Sequence, residues 1–241
     1  MPTPRPVVSR GSRVEERHRP TGLTKSGRRV IGPLRVAARI VSGLIAAIAA
    51  VVPVSGGDGA CLVAAAREQV GVTTIYDGRY VRLAYPGGDP PAARGVCTDV
   101  LVRAYRRLGL DLQVLVHEDM GRAWDAYPQR WGLSRPDPNI DHRRVPNLVT
   151  FFARHGRSLP VSRDPTAWEP GDLVAWRLPS GLPHIGIVSD RRTVGGVPLV
   201  VHNIGAGTVE DDVLLGFTLT AHLRYLPEPA ASACGRTGNG S

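Results

Sequence analysis

Cys97, His184 and the adjacent pair His202-Asn203 are the residues of this 241-residue chain whose types and order could support nucleophilic catalysis. A thiol becomes a strong nucleophile when its thiolate is favoured, which the positive end of a helix and a neighbouring imidazolium both promote. From Cys97 to Leu108 the apolar residues Val100, Leu101, Ala104, Tyr105 and Leu108 fall on one helical face, and Gly109 suits the C-terminal cap. Cys97 is therefore expected in the first turn of a helix. The helix start and a pairing with His184 are expected to lower its pKa below the ~8.5 of a free thiol. Taken alone, a cysteine at this place reads first as a small buried hydrophobe, which is where most free cysteines sit.

The elements that must position the base follow later in the chain. Leu173–Trp176, 184–190, 199–204 and Phe217–Tyr225 read as strands, the last with clean alternation of Phe217, Leu219, Ala221, Leu223 and Tyr225. His184 opens an apolar strand, where its ring can point toward a helix N-terminus packed on the sheet. The third residue is a choice between His202 and Asn203, either of which can orient an imidazole. A two-residue Gly195-Gly196 turn pairing Val194 with Val197 puts Asn203 on the face of His184. A three-residue loop or a bulge puts His202 there instead, and Pro198 weighs against the tight turn.

Helices first and strands after imply an α+β fold with helices against a mostly antiparallel sheet. Residues 61–70 carry Leu62, Val63, Ala66 and Val70 at helical spacing before Gly71. A loop rich in Gly and Pro follows, with Tyr76, Tyr80 and Tyr85. Residues 111–160 read as a long polar middle ending in a short helix from Pro146 to His155. His117-Glu118-Asp119 and the run from Asp137 to His142 have metal-type side chains but no compact metal-site spacing, so no metal or other cofactor is expected.

The segments Pro170-Gly171-Asp172-Leu173-Val174 and His184-Ile185-Gly186-Ile187-Val188, set beside Cys97, resemble the NlpC-like branch of papain-type cysteine peptidases, which cut bacterial cell-wall peptides. The resemblance covers roughly Gly71 to Ile204. It implies a papain-like fold and the roles of nucleophile, base and orienting residue for Cys97, His184 and His202, with Asn203 as the alternative third residue. Val96-Cys97-Thr98-Asp99 departs from that family's usual Asp-Cys-Ser-Gly. The middle segment from Asp111 to Pro160 has no counterpart in the common core. Gly95-Val96-Cys97-Thr98-Asp99, His117-Glu118-Asp119-Met120 and the run Pro136–Asn147 are more closely similar to the exported bacterial domain-of-unknown-function family 1287.

Charge is concentrated at one end. Residues 1–39 hold ten of the thirty Lys and Arg and two of the twenty-one acids, net +8, which leaves +1 for residues 40–241. The uncharged run Ile40–Val54 is short of the ~20 residues needed to span a bilayer but fits the core of a signal peptide. A basic tail ahead of such a run reads as an export signal rather than a nucleic-acid arm. Residues 1–59 are thus expected to be tail plus export signal, and 60–241 one domain. Arg28-Arg29 invites a twin-arginine reading without the usual flanking pattern. An odd count of three cysteines in an exported chain points to one reactive thiol, Cys97. Cys61 and Cys234 could pair, or Cys61 could be a lipidated terminus.

These readings predict an exported monomeric cysteine hydrolase of the periplasm, cell envelope or extracellular space. Its substrate would be an amide bond in peptidoglycan peptides, with membrane contact only through the export segment and no nucleic-acid partner. The backbone N–H of Cys97 with Tyr76 or Tyr85 is expected to stabilise the oxyanion, and Arg143 and Arg144 to clamp substrate carboxylates. An acyltransferase using the same site, or a wall-binding module that has lost the chemistry, are the alternatives.

Overall fold

A computed structural model describes residues 59–226. The basic tail, the apolar run expected to be an export signal, and Cys234 lie outside the described residues. Among the described residues no helix is long and apolar enough to cross a membrane. The elements run α1 (Ala60–Arg67), β1 (Ile75–Tyr76), β2 (Arg94–Gly95), α2 (Cys97–Arg107), α3 (Leu112–Arg122), α4 (Val145–His155), β3 (Arg157–Leu159), β4 (Leu173–Arg177), β5 (Pro183–Arg192), β6 (Pro198–Asn203), β7 (Thr208–Asp211) and β8 (Thr218–Arg224). The last six form one sheet in the order β3-β8-β4-β5-β6-β7 with every neighbouring pair antiparallel. This is the expected α+β arrangement of helices on an antiparallel sheet.

Strand alternation gives the sheet two apolar faces. Leu173, Ala175, Ile185, Ile187 and Val201 face the helices, where they meet Leu101 and Tyr105 of α2 and Leu148 and Phe152 of α4. Val174, Trp176, Val188 and Val200 face the other way, under Trp168 and Leu214. Burial of each large side chain contributes roughly 1.5–3 kcal/mol. The Tyr105 hydroxyl also donates to the Tyr225 carbonyl at 2.6 Å, tying α2 to the end of β8.

Three elements depart from the sequence reading. The polar middle contains α3, whose Asp111 caps its start by accepting the Gln113 N–H at 3.0 Å. Strands β3 and β7 are short and partly exposed, so they carry little periodic signal. The first helix stops at Arg67, and the chain reaches Gly71 (φ +78°) through turns.

The β5–β6 connection settles the register. Thr193 N–H donates to the Val197 carbonyl at 2.8 Å, so the loop is Val194-Gly195-Gly196 rather than the two glycines alone. Ile187 then pairs with Val201 and Val188 with Val200. His184 and His202 consequently share a face, and Asn203 points to the helix side.

One buried ion pair anchors the start of α2. The Asp99 carboxylate accepts the Val96 N–H at 2.7 Å and receives Arg143 Nε and Nη2, each at 2.9 Å. Both side chains are 2 % exposed. Removing one partner of such a pair leaves an uncompensated buried charge and costs about 3–5 kcal/mol. Asp99→Ala is therefore expected to lower the unfolding free energy in urea by an amount of that order. A loss below ~1 kcal/mol, the range of exposed pairs, would show that the pair is not the anchor.

Candidate active site

Cys97 is the first residue of α2, and its thiol meets β5 at the start of that strand, where it takes a backbone hydrogen bond from Ile185. The ladder between β5 and β6 has Ile187 opposite Val201 and Val188 opposite Val200. Cys97 and His184 line one cleft of about 760 Å³, together with Tyr76, Trp131 and Arg144. Among the described residues Cys97 is the free cysteine, whereas Cys61 is disulfide-bonded.

His184 Nε2 lies 2.9 Å from His202 Nδ1. The register places the two residues on one face, and Gly186 gives them room. A Cβ on Gly186 would stand 2.6 Å from Val200 Cγ1 and 3.2 Å from His202 Cβ. Trp176 stacks on the His184 ring at 5.5 Å and 21°. With Nε2 engaged, only Nδ1 of His184 remains to accept a proton. That requires the tautomer in which Nε2–H donates to His202 Nδ1. His202 then holds its own proton on Nε2, a buried atom without a hydrogen-bond partner.

The electrostatics overturn one expectation. Burial pushes the Cys97 thiol up to about 12, against backbone hydrogen bonds from Ile185, Thr98 and Cys97 that pull it down. Burial, together with the His202 ring, holds His184 down to about 3. Desolvation thus outweighs the helix end, and each group rests neutral, thiol and imidazole rather than thiolate and imidazolium.

The remaining candidates divide. Asn203 does not reach His184: its Nδ2 donates to the Gly95 carbonyl at 3.1 Å, holding the backbone two residues before the thiol. Tyr76 lines the cleft, where desolvation and the nearby thiol raise its phenol to about 12. Tyr85 instead sits edge-on to His117 at 5.2 Å, away from the cleft lining, which removes it as an oxyanion donor. Arg143 is corrected from substrate clamp to structural anchor. Besides Asp99 it donates to the carbonyls of Asp77 and Arg79, leaving no free fork for a ligand. Arg144 lies over the Trp131 ring at 4.0 Å and bonds Asp141 at 3.0 Å, so it forms part of the cleft wall.

Sequence reasoning missed the partnership of Asp99, Arg143 and Thr98, whose hydroxyl donates to the Arg143 carbonyl at 3.1 Å. The signal was present as the departure at Val96-Cys97-Thr98-Asp99. What it lacked was the distant arginine that makes Asp99 useful there.

The family model described as Domain of unknown function (DUF1287) matches residues 63–225. The uncharacterized protein YijF of Escherichia coli (strain K12) is 56% identical over 160 residues, which is 66% of this chain and 78% of that protein. Among solved structures, that of NlpC1 from Trichomonas vaginalis is similar over 70% of this chain at 15% identity and a TM-score of 0.38. The match spans 44% of the NlpC1 chain.

A depressed histidine makes stability depend on acid in a defined direction. The native state keeps His184 neutral to about 3, whereas the unfolded chain protonates it near 6.5. Its contribution is complete above pH 6.5 and is lost as pH falls toward 3. Denaturant titrations at pH 7, 5.5 and 4 are expected to show this decline, with a shallower slope in His184→Gln. An identical slope in the variant would mean that His184 titrates normally.

Proposed function

The chain belongs to the DUF1287 family, and for this member we propose an exported cysteine hydrolase that cleaves an amide bond in peptidoglycan peptides. The observation that carries the reading is the thiol of Cys97 at a helix start, in one cleft with a histidine whose second nitrogen is held by another histidine. As the substrate carbonyl enters, Cys97 Sγ attacks its carbon and His184 Nδ1 takes the thiol proton. The buried hydrogen bond to His202 holds the imidazole in position and disperses the charge it gains. In this reading the Cys97 backbone N–H and the Tyr76 hydroxyl, both on the cleft wall, receive the developing oxyanion. His184 then returns the proton to the departing amine, and water releases the acyl group from sulfur.

The raised pKa of Cys97 favours a second reading, a wall-binding module with an inert thiol. The two separate in one experiment, in which purified protein is incubated with peptidoglycan and new peptide termini are identified by mass spectrometry. New termini are expected with the wild type and none with Cys97→Ala. Binding to the wall without new termini would establish the module instead. Transfer of the acyl group to an added amine, in place of a free carboxylate product, would mark an acyltransferase.

His202 is expected to act as a positioning residue. His202→Ala should reduce kcat heavily, by about 10² to 10⁴ as for other groups that orient a catalytic imidazole, whereas His202→Asn, which can accept the same N–H, should recover part of it. A loss confined to KM would contradict the assignment. Export rests on residues 1–59, and a fusion of that segment to a cytoplasmic reporter is expected to appear in the envelope or medium. A reporter retained in the cytoplasm would remove the localisation.

A further inference from the structure

Two further cavities adjoin the Cys97 cleft, and the three together form a broken groove. Arg130, Val145, Pro146 and Pro183 line both the cleft and a neighbouring cavity of about 290 Å³. Arg177 in turn lines that cavity and a third one of about 530 Å³, which Arg163 and Phe217 help to wall. Leu178 borders the first and third, so the three spaces adjoin one another around the end of β4.

The groove carries charge of one sign. No Asp or Glu lines any of its three parts. Arg130, Arg163 and Arg177 are exposed, and their side chains have no hydrogen bond or ion pair among the described residues. Elsewhere on the described domain Arg82, Arg135 and Arg157 are likewise exposed and without a side-chain partner, whereas other arginines are engaged. Arg67, Arg103, Arg154 and Arg224 each hold a carboxylate of the chain. Free guanidinium forks in a concave, one-signed wall attract and orient carboxylates, and the wall concentrates anions near the thiol.

We propose that the groove binds an acidic peptide, its scissile amide at Cys97 and its carboxylates against Arg130, Arg177 and Arg163. The proposal rests on the hydrolase reading and adds the substrate's charge and direction. Apolar surface between the arginines, from Val145, Pro146 and Phe217, suits a chain in which carboxylates alternate with small apolar side chains. A phosphate backbone, charged at every unit, would leave charges against that apolar wall.

The test uses the full chain carrying Cys97→Ala and a fluorescein-labelled hexapeptide of alternating alanine and glutamate, with anisotropy as the readout. The glutamate peptide is expected to bind and to weaken with added salt. Its glutamine counterpart should bind at least about tenfold more weakly, since at least two exposed contacts of this kind are lost. Arg163→Gln and Arg177→Gln should each cost about two- to fivefold. Arg82→Gln, an exposed arginine outside the groove, should change nothing. Equal binding of the glutamine peptide, or equal losses from Arg82→Gln and the groove variants, would overturn the proposal. Stronger binding of a labelled oligothymidylate of equal charge would overturn it in favour of a phosphate polymer. Hydrolysis is scored separately by product termini. Charge-selective binding without cleavage sinks the hydrolase and spares the groove, whereas cleavage without charge selection does the reverse.

Discussion

The buried pair of Asp99 and Arg143 is the interaction on which the cleft depends. Asp99 caps the backbone at Val96, immediately before the thiol, and Arg143 extends that anchor to the carbonyls of Asp77 and Arg79. One carboxylate therefore fixes the start of α2, and one guanidinium fixes the loop that follows Tyr76. Thr98 closes the arrangement by bonding the Arg143 carbonyl. A charge pair in so dry a place adds little net stability over a well-packed apolar substitute, but losing half of it is costly. Its consequence is geometric: nucleophile, cleft tyrosine and the family-specific middle segment cannot shift independently.

The same dryness shapes the chemistry. Cys97 is buried at the helix start and His184 under Trp176, so desolvation keeps each in its neutral form. A site of this kind holds little reactive thiolate at rest, which protects the thiol from oxidation. It also strengthens hydrogen bonds made during reaction, because no solvent competes with them. The His184–His202 bond is the clearest example. Neutral at rest, it becomes charge-assisted when His184 takes a proton.

Much of this was legible from residues alone. Apolar spacing gave α2 and α4, alternation gave β4, β5, β6 and β8, and the order of helices before strands gave the layering. The third residue hinged on a turn. Two glycines suggested a tight connection, but Pro198 begins β6 and the loop takes in Val194, which turns His202 toward His184. Other features were not readable. The helix α3 is polar enough to pass for loop, and the partner of Asp99 lies 44 positions away. The two adjacent arginines that suggested a carboxylate clamp are engaged within the fold. Three of the unpaired ones, Arg130, Arg163 and Arg177, are brought to adjoining cavities only by tertiary structure. The thiol pKa failed for a related reason: a helix N-terminus is visible in sequence, but the depth of burial is not.

The central claim is that Cys97 forms a covalent acyl intermediate with His184 as its base. Intact-mass measurement of protein quenched in acid during turnover of peptidoglycan fragments tests it directly. The account predicts an added acyl mass on the peptide containing Cys97, removable by hydroxylamine and absent in His184→Ala. Turnover without any adduct, undiminished in Cys97→Ala, would contradict it.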